Sequence, residues 1–332
     1  MMKWYLGEGE QSDVVVSTRI RLARNLEDYP FPAKLDTKSR VQINELIHKA
    51  IPADANLRYI EMKTLTQPEI VSLAERHMIS PEFASDTDGR ALLLSDDEDV
   101  SIMLCEEDHI RLQVMTSGLA LFETYEKANQ LDDAINTQLR FAFDERLGYL
   151  TQCPTNIGTG MRASVMLHLP ALTMTHSIGT LAVTVSKLGL TLRGAYGEGS
   201  APMGDLYQLS NQVTLGISEK AAIENLKTIV LQLAAQERAA RQELLKTVEC
   251  EDEIFRAYGI LKSARILSTK EFMNLISKVR MGAVGGLLDV DPKHMSNLMV
   301  TLQPAGISAR AGKALEPRER DIERARIVRE TI

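Results

Sequence analysis

Three segments of the chain alternate apolar and polar residues with a period of two, and in all three the polar side carries arginine. Arg19 and Arg21 occupy it in the first segment, Arg111 in the second and Arg193 in the third. A period of two is typical of a β-strand with one buried face. The sequence therefore predicts a sheet with an apolar side and a guanidinium-lined side. In the first segment the apolar side comprises Val14, Val16, Thr18, Ile20 and Leu22, and the polar side Val15, Ser17, Arg19 and Arg21.

Arginines on neighbouring strands need a counter-charge, because like charges across a strand pair repel each other. Phosphate oxygens match the guanidinium fork in bidentate geometry. The pattern therefore favours a bound polyphosphate. The alternative is a solvated polar face whose arginines pair with Asp and Glu. That interpretation is the better one for a single strand, whereas the recurrence in three strands favours the anion.

Length and composition limit the class of protein. A chain of 332 residues indicates two domains, and 44% hydrophobic with 25% charged residues indicates a sizeable core. The net charge of −7 argues against general binding to nucleic acid or anionic membranes. Three cysteines without a CxxC pair argue against a disulfide framework and a thiolate zinc site.

Two features bear on location. The first residues show no export signal. The longest run without Asp, Glu, Lys or Arg, from Ala163 to Ser186, contains His168 and Pro170. It is predicted to be buried helix and turn rather than a membrane span, with Pro170 kinking or ending a helix. We therefore expect a cytoplasmic protein.

The remaining pattern predicts an α+β domain followed by an all-helical domain. Helices are predicted over residues 36–51, 67–78, 118–147 (closed by Gly148) and 218–248, and strands over 99–116 (a hairpin), 188–196 and 207–216. Capping patterns at Ser268, Asp291 and Glu316 indicate three further helix starts. The predicted domains are residues 1–248 and 249–332.

The loop CPTNIGTGMR, residues 153–162, is the densest candidate site. Its two glycines let backbone amides approach a ligand, Arg162 adds a phosphate-binding fork, and a helix beginning at Ala163 would favour an anion at its N-terminus. Cys153 is either a thiolate or a buried structural cysteine. The loop also fits G-x-G-x-x-A, but it follows Cys-Pro rather than an apolar strand, which argues against a dinucleotide fold. The sequence contains no P-loop and no protein-kinase motif.

Two acidic sites accompany the arginines. One is EEDH, from Glu106 to His109, at the predicted hairpin turn, and the other is Glu198 in RGAYGEG. Carboxylates among arginines can hold a cationic group against a phosphate and accept its proton. By composition alone, EEDH is equally well explained as a solvated turn.

Four motifs together resemble the phosphagen (guanidino) kinase family. CPTNIGTGMR is similar to the segment around the family's reactive cysteine, EEDHIR to its NEEDHLR, STRIR to its S-x-R-x-R strand and RGAYGE to its R-G-x-x-G-E loop, in the family's order. Cys105 stands where the family has asparagine. The chain begins at the nucleotide-binding strand and, as a whole, is similar to the bacterial branch of the family that acts on arginine in proteins.

The resemblance implies a glutamine-synthetase-type catalytic domain, with an antiparallel sheet flanked by helices, and it implies roles for individual residues. Glu107 is implied as the general base, Glu198 as the carboxylate that orients the guanidinium, and Cys153 as the cysteine that tunes the substrate. The implied ATP-binding residues are Ser17, Thr18, Arg19, Ile20, Arg21, His77, Arg111, Arg162, Ala163, Ser164, Val165, Met166, Arg193, Gly194, Ala195, Tyr196, Gly197 and Glu198. The implied phosphoarginine-binding residues are Arg320, Asp321, Ile322, Glu323, Arg324 and Ala325.

ATP and Mg²⁺ are the implied cofactors, and the metal is expected on phosphates and water rather than on dedicated protein ligands. The implied partners are substrate proteins with exposed arginine, a heat-shock repressor, a zinc-binding activator protein, an AAA+ protease and a second copy of the chain. The implied biological roles are protein degradation and stress response. Neither nucleic acid nor membrane is an expected partner.

Three alternatives stay open. A carboxylate–amine ligase of the glutamine-synthetase type would have a similar sheet, but such enzymes bind metals through acidic strand residues. A phosphoarginine-binding adaptor would have lost catalysis, against which Glu107, Glu198 and Cys153 argue. A free-arginine kinase would carry the same motifs. Transfer of labelled phosphate to protein, to free arginine or to neither distinguishes the kinases from the adaptor.

Overall fold

An eight-stranded antiparallel sheet forms the centre of this computed structural model, which describes residues 3–195 and 202–332. The strands are β1 Val15–Arg24, β2 Leu57–Glu61, β3 Ala91–Ser95, β4 Val100–Leu104, β5 Ile110–Ser117, β6 Phe143–Asp144, β7 Gly148–Tyr149, β8 Met161–His168, β9 Leu190–Gly194 and β10 Leu206–Asn211. Their order is β2-β3-β4-β5-β1-β8-β10-β9, while β6 and β7 form a separate pair. The predicted α+β fold with an antiparallel sheet is confirmed.

Helices cover both faces of the sheet. They are α1 Thr37–Ala50, α2 Gln67–Glu75, α3 Pro81–Ser85, α4 Leu121–Asn136, α5 Pro170–Met174, α6 Ile178–Ser186, α7 Glu219–Leu244, α8 Val248–Ser263, α9 Thr269–Val284, α10 Pro292–Thr301, α11 Pro304–Arg310 and α12 Pro317–Thr331. Predicted N-caps at Asp36, Ser218, Ser268 and Asp291 each accept a backbone N–H of the first turn. These helix starts are therefore confirmed.

The two faces of the sheet are covered differently. Helices α1, α4 and α7 pack on the apolar face in one core that includes Ile20 of β1 and Ile47 of α1. The other face is covered in two places. Trp4, α2 and α3 pack around Met103 of β4, and the C-terminal helices pack around Met166 of β8. The arginine side of β1 lies between these two clusters.

The alternation predicted for β1 holds from Thr18 onward and fails before it. The register against β8 shifts between Val15 and Ser17, as at a β-bulge. Val14 and Val15 therefore both belong to the core of the apolar face, whereas Val16 packs against the C-terminal helices. The prediction that Val14 and Val16 share a side is wrong, because the extra residue of a bulge reverses the phase of the strand.

The segment from residue 161 to 168 is strand β8, so the predicted helix beginning at Ala163 is wrong. Ala163 and Val165 face the core, and Ser164 lies on the opposite face beside Arg19. Pro170 is the first residue of α5 rather than the end of a helix, a position that suits proline because its missing N–H is not needed there. Arg162 consequently lies on a strand and not at a helix N-terminus.

The helix predicted over residues 118–147 is too long. It ends at Asn136, and Gly148 lies in β7 rather than at a helix C-terminus. The Asp144 carboxylate accepts the N–H groups of Arg146 and Leu147 at 2.8 and 2.9 Å. Such local side-chain hydrogen bonds stabilise a turn in competition with helix.

The chain after β10 is helical, as predicted. Helix α7 ends at Leu244, four residues before the predicted end, and Thr247 caps α8. The predicted domain division lies at this junction. Within residues 3–195 and 202–332, no helix combines the length and the apolarity that a membrane crossing requires.

Candidate active site

A cavity of about 950 Å³ lies on the arginine side of the sheet, between the two clusters that cover this face. Its lining includes five arginines from four strands: Arg19, Arg21, Arg111, Arg162 and Arg193. Alternation explains their convergence, because β5, β1, β8, β10 and β9 are consecutive in the sheet and present these positions on one face. The structure thus brings together arginines that lie up to 174 residues apart in sequence.

The arginines repel one another within the cavity. Burial, followed by the charges of Arg111, Arg193 and Arg162, lowers the pKa of Arg19 to about 10. Burial and the same kind of repulsion lower the pKa of Arg21 as well. Arg19 also donates to Gln208 Oε1 at 2.8 Å. A bound polyanion would relieve this repulsion, which is the property expected of a phosphate site.

The EEDH turn joins β4 to β5, and two of its acids are held by neighbouring residues. Glu106 pairs with Arg111 and accepts a hydrogen bond from the Ser80 hydroxyl at 2.5 Å. Asp108 accepts from Asn25 Nδ2 at 2.6 Å and from the backbone N–H of residue 152 at 2.8 Å. These bonds fix the turn rigidly against the loops around it.

Glu107 lines the cavity and is half-buried. Burial, then the neighbouring charge of Asp108, raises the pKa of Glu107, and Arg111 opposes this shift. His109, by contrast, is buried and its Nδ1 accepts the N–H of Leu26 at 3.0 Å. Of the four residues of the turn, Glu107 therefore has the position and the proton affinity that suit a base.

His77 lines the same cavity from the segment after α2. Its backbone is left-handed, with φ of 63°, and its carbonyl accepts Gln113 Nε2 at 2.7 Å. Burial, followed by the charge of Arg19, lowers the pKa of His77 to about 3. The imidazole is therefore neutral beside the arginines.

The glycine-rich loop is packed against its own chain. A Cβ at Gly158 would lie 2.1 Å from the carbonyl oxygen of Thr214, and one at Gly160 would lie 2.6 Å from Nη1 of Arg24. We expected these glycines to let backbone amides approach a ligand. Instead, the space beside each of them is filled by the protein's own atoms. Cys153 lies outside the described lining of the cavity, although the adjacent Gln152 belongs to it.

Other predicted residues divide between the cavity and the core. Ser164 bonds Arg19, and Ala195 lines the cavity, whereas the side chains of Thr18, Ile20, Ala163 and Val165 are buried away from it. Tyr196, Gly197 and Glu198 lie outside the described residues. In the described part of the chain, His, Cys, Asp and Glu form no group of three or more suited to a metal ion.

The sequence prediction missed several lining residues, among them Ser80, Gln208 and Glu75. Ser80 precedes Pro81 and caps α3, a pattern readable from sequence. Gln208 occupies the polar side of a predicted strand. Nothing in the sequence around Glu75 indicates its role, because that role depends on tertiary structure. Its carboxylate accepts the N–H groups of Ala305 and Gly306 at 2.9 and 2.8 Å. It thereby joins α2 to the start of α11.

Comparison with known proteins shows similarity along the whole chain. The model of "ATP:guanido phosphotransferase, C-terminal catalytic domain" matches residues 39–240, and that of "Protein-arginine kinase McsB C-terminal domain" matches residues 247–332. The protein-arginine kinase of Geobacillus sp. (strain WCH70) is 45% identical, with 99% of this chain and 93% of the relative covered. That of Caldanaerobacter subterraneus subsp. tengcongensis is 47% identical, with 95% and 96% covered. The chain belongs to the protein-arginine kinases.

A solved structure is similar as well. The crystal structure of lombricine kinase matches with a TM-score of 0.61 and 27% identity, over 70% of this chain and 68% of that one. Membership in the protein-arginine kinases, within the ATP:guanido phosphotransferases, makes the chain an enzyme that transfers phosphoryl groups. The resemblance expected from the four motifs is thus confirmed.

The C-terminal segment RDIERA lies on α12 of this protein-arginine kinase. Arg324 is completely buried and donates to the carbonyls of Leu302 and Leu267, to Thr269 Oγ1 and to Asp321 Oδ1. Its guanidinium therefore binds α12 to the start of α9.

The other members of the segment are more accessible, with one exception. Ala325 is buried, whereas Ile322 is exposed and Arg320, Asp321 and Glu323 are half-buried. Arg320, Asp321 and Glu323 are thus the charged groups of this segment that a solute reaches, and Asp321 is the one bonded to the buried Arg324.

Proposed function

We propose that this enzyme transfers the γ-phosphoryl group of ATP to arginine side chains of proteins. The observation that carries the proposal is the convergence of five strand arginines and Glu107 on one cavity. Arginines spread the charge of a transferring phosphoryl group, and a carboxylate opposite them can take the proton that guanidinium must lose. The relatives named protein-arginine kinase support the acceptor.

ATP fits the cavity by charge and by size. The five arginines include Arg19 and Arg21, whose pKa values are lowered first by burial and then by the charges of neighbouring arginines. A bound triphosphate would relieve that repulsion. The volume of about 950 Å³ lies in the upper part of the range for ligand pockets. Mg²⁺ would be held through phosphates and water, which is common for this ion at nucleotide sites.

Glu107 is proposed as the general base. Guanidinium is a poor nucleophile, because its cation is delocalised and its pKa is above about 12. Removal of a proton in the transition state therefore requires a carboxylate close to the acceptor nitrogen. Glu198 is proposed as a second carboxylate that orients the guanidinium, and Cys153 as a cysteine that tunes it.

The biological setting is proposed from the resemblance. A phosphoarginine mark on proteins would direct them to an AAA+ protease and would inactivate a heat-shock repressor, with a zinc-binding activator protein controlling the enzyme. A homodimer formed through the helical C-terminal domain, residues 249–332, belongs to the same proposal. The cytoplasm is the proposed location.

A phosphoarginine-binding role is proposed for α12. Phosphoarginine combines an N–H edge with a phosphate, so a reader needs a carboxylate and a cation close together. Asp321 and Arg320 provide this pair, and Arg324 would act by holding Asp321, to which it donates at 2.6 Å.

Incubation with γ-labelled ATP tests the proposed reaction. The acceptors are an arginine-rich protein, the same protein with its arginines replaced by lysine, and free arginine. We expect acid-labile label on the first acceptor only. Label on free arginine alone would support a free-arginine kinase. Binding of phosphoarginine without any transfer would support an adaptor and contradict the proposal.

A further inference from the structure

The EEDH turn is bonded to Ser80, a residue from outside the sheet. Ser80 follows α2 in the chain, is the N-cap of α3 and lines the active-site cavity. Its Oγ accepts the N–H of Phe83 at 3.0 Å and donates to Glu106 Oε1 at 2.5 Å. An ionised carboxylate can only accept, so the hydrogen of the second bond comes from the hydroxyl. One serine side chain thus caps a helix and supplies a donor to the turn.

Glu106 is buried, and both of its carboxylate oxygens have partners. Oε1 accepts from Ser80, whereas Oε2 pairs with the Arg111 guanidinium and accepts the backbone N–H of Glu107 at 3.3 Å. Burial opposes the charge of Glu106, but Arg111 and Ser80 outweigh it and lower the pKa of the carboxyl. Glu106 is therefore ionised at neutral pH, and it joins Ser80 to two residues that line the cavity, Arg111 and Glu107.

We propose that Ser80 is a positioning residue for phosphoryl transfer, because its hydroxyl orients the carboxylate that holds Arg111 and the backbone of Glu107. The last torsion of a glutamate side chain has a broad range, so bonds to both oxygens are needed to fix the plane of the carboxylate. Loss of the hydroxyl leaves Oε1 of Glu106 without this donor, and Oε2 can then shift together with its two partners. The inference rests on the proposed function, in which Arg111 binds phosphate and Glu107 is the base.

The effect should fall on the chemical step more than on ATP binding. Arg19 and Arg21 lie on β1 and Arg162 on β8, and continuous antiparallel pairing joins these strands from residue 17 to residue 22. Backbone pairing therefore holds these arginines whether or not residue 80 has a hydroxyl. The turn itself stays anchored, because Asp108 keeps its bonds to Asn25 and to the backbone of residue 152. What remains is a small displacement of the base and of one phosphate ligand.

The test is Ser80→Ala, measured as kcat and as KM for ATP with an arginine-rich protein as acceptor. We expect kcat to fall about tenfold, because small displacements of reacting groups have large effects, and KM for ATP to rise less than about threefold. The matched control is Ser218→Ala, which also removes a serine N-cap. Ser218 accepts the N–H of Ala221 at the start of α7 and is not among the described residues that line the cavity. Its kcat should match that of the wild type.

Two further variants separate positioning from capping. Glycine is nearly as good an N-cap as serine but has no hydroxyl, so Ser80→Gly should lower kcat as much as Ser80→Ala does. Ser80→Thr keeps both the cap and the donor and should recover most of kcat. Wild-type kcat in Ser80→Gly, or a Ser80→Thr variant as slow as Ser80→Ala, would overturn the inference. Absence of protein-arginine transfer by the wild type would instead overturn the proposed function.

Discussion

At the scale of single residues, the three neighbouring acids of the turn between β4 and β5 differ in their contacts. Glu106 forms an ion pair with Arg111, and Asp108 bonds to Asn25 and to the backbone of residue 152. Glu107 faces the cavity with a raised pKa. Sequence alone does not distinguish these acids, because their contacts include residues that are distant in the chain: Ser80 lies 26 positions from Glu106, and Asn25 lies 83 positions from Asp108.

Glu107→Gln should lower kcat by at least about 100-fold, since it removes the proposed general base. The amide has the size of the carboxylate and the arginines are unchanged, so the Kd of MgADP should stay within about twofold. Glu82→Gln, at an exposed glutamate of the same cavity, is the control and should retain activity. Activity of Glu107→Gln at the wild-type level would rule out the assigned base.

The pH dependence follows from the same residue. The pKa of Glu107 is raised above the ordinary 4.5 by burial and by Asp108, and a base acts only when deprotonated. The acid limb of the kcat/KM profile should therefore lie at higher pH than an ordinary glutamate would give, with activity lost as the pH falls through that pKa. The Glu82→Gln profile should keep this limb, and a flat acid limb in the wild type would contradict the assignment.

Cys105 occupies the position where the family has asparagine, and its backbone explains that preference. It is left-handed with φ of 58°, completely buried, and burial raises its thiol pKa to about 12. Asparagine tolerates this conformation better than most residues, and the carbonyl of Arg40 lies 3.9 Å from the Cys105 sulfur as an acceptor.

Cys105→Asn should therefore raise the free energy of unfolding by about 1 kcal/mol, measured by denaturant unfolding. Cys105→Ala, which keeps a small side chain but lacks asparagine's preference, is the comparison and should give no such gain. A lower stability of Cys105→Asn than of Cys105→Ala would show that the buried amide is not accommodated.

At the scale of elements, the sequence predicted strands well where one face is polar. Strands β1, β5 and β9 carry arginine opposite apolar residues, so their alternation is visible. Strand β8 also alternates, with Met161, Ala163, Val165 and Leu167 on one face and Arg162, Ser164, Met166 and His168 on the other. The helix prediction followed from the uncharged run that continues to Ser186, although the alternation within residues 161–168 indicates a strand.

The candidate site likewise contains some residues that the sequence predicts and others that it does not. The arginines and Glu107 were predictable, because strand alternation and a resembling motif place them. The contacts of Gly158 and Gly160 were not, since each meets a residue brought near only by the folded chain. The contacts of Glu75 likewise depend on how the C-terminal helices pack.

Substitution of Arg324 tests how helices α9, α10 and α12 are held together. Its guanidinium donates to Asp321 of the same helix and to three groups around the start of α9 and the end of α10. Arg324→Lys replaces this fork by a single ammonium and should lower the free energy of unfolding by about 3 kcal/mol, measured by denaturant unfolding. Arg326→Lys, on the exposed face of the same helix, is the control and should leave the midpoint unchanged. Equal midpoints for the two variants would contradict the structural role of Arg324.

At the scale of the whole molecule, the cavity is bounded by parts of the chain that are distant in sequence. The central sheet provides the arginines, α2 and α3 provide one wall, and Glu75 joins that wall to α11 of the C-terminal region. The C-terminal helices therefore contact the catalytic part at the cavity and at the turn before β10, where Ser277 of α9 donates to Asp205.

A crystal structure with MgADP, nitrate and an arginine-containing peptide tests the central claim most directly. Nitrate is planar like a phosphoryl group in transfer, so it marks the reacting position. We predict the diphosphate and nitrate within hydrogen-bonding distance of the five strand arginines, and the peptide guanidinium beside Glu107. Nucleotide bound elsewhere, or a peptide guanidinium remote from Glu107, would contradict the account.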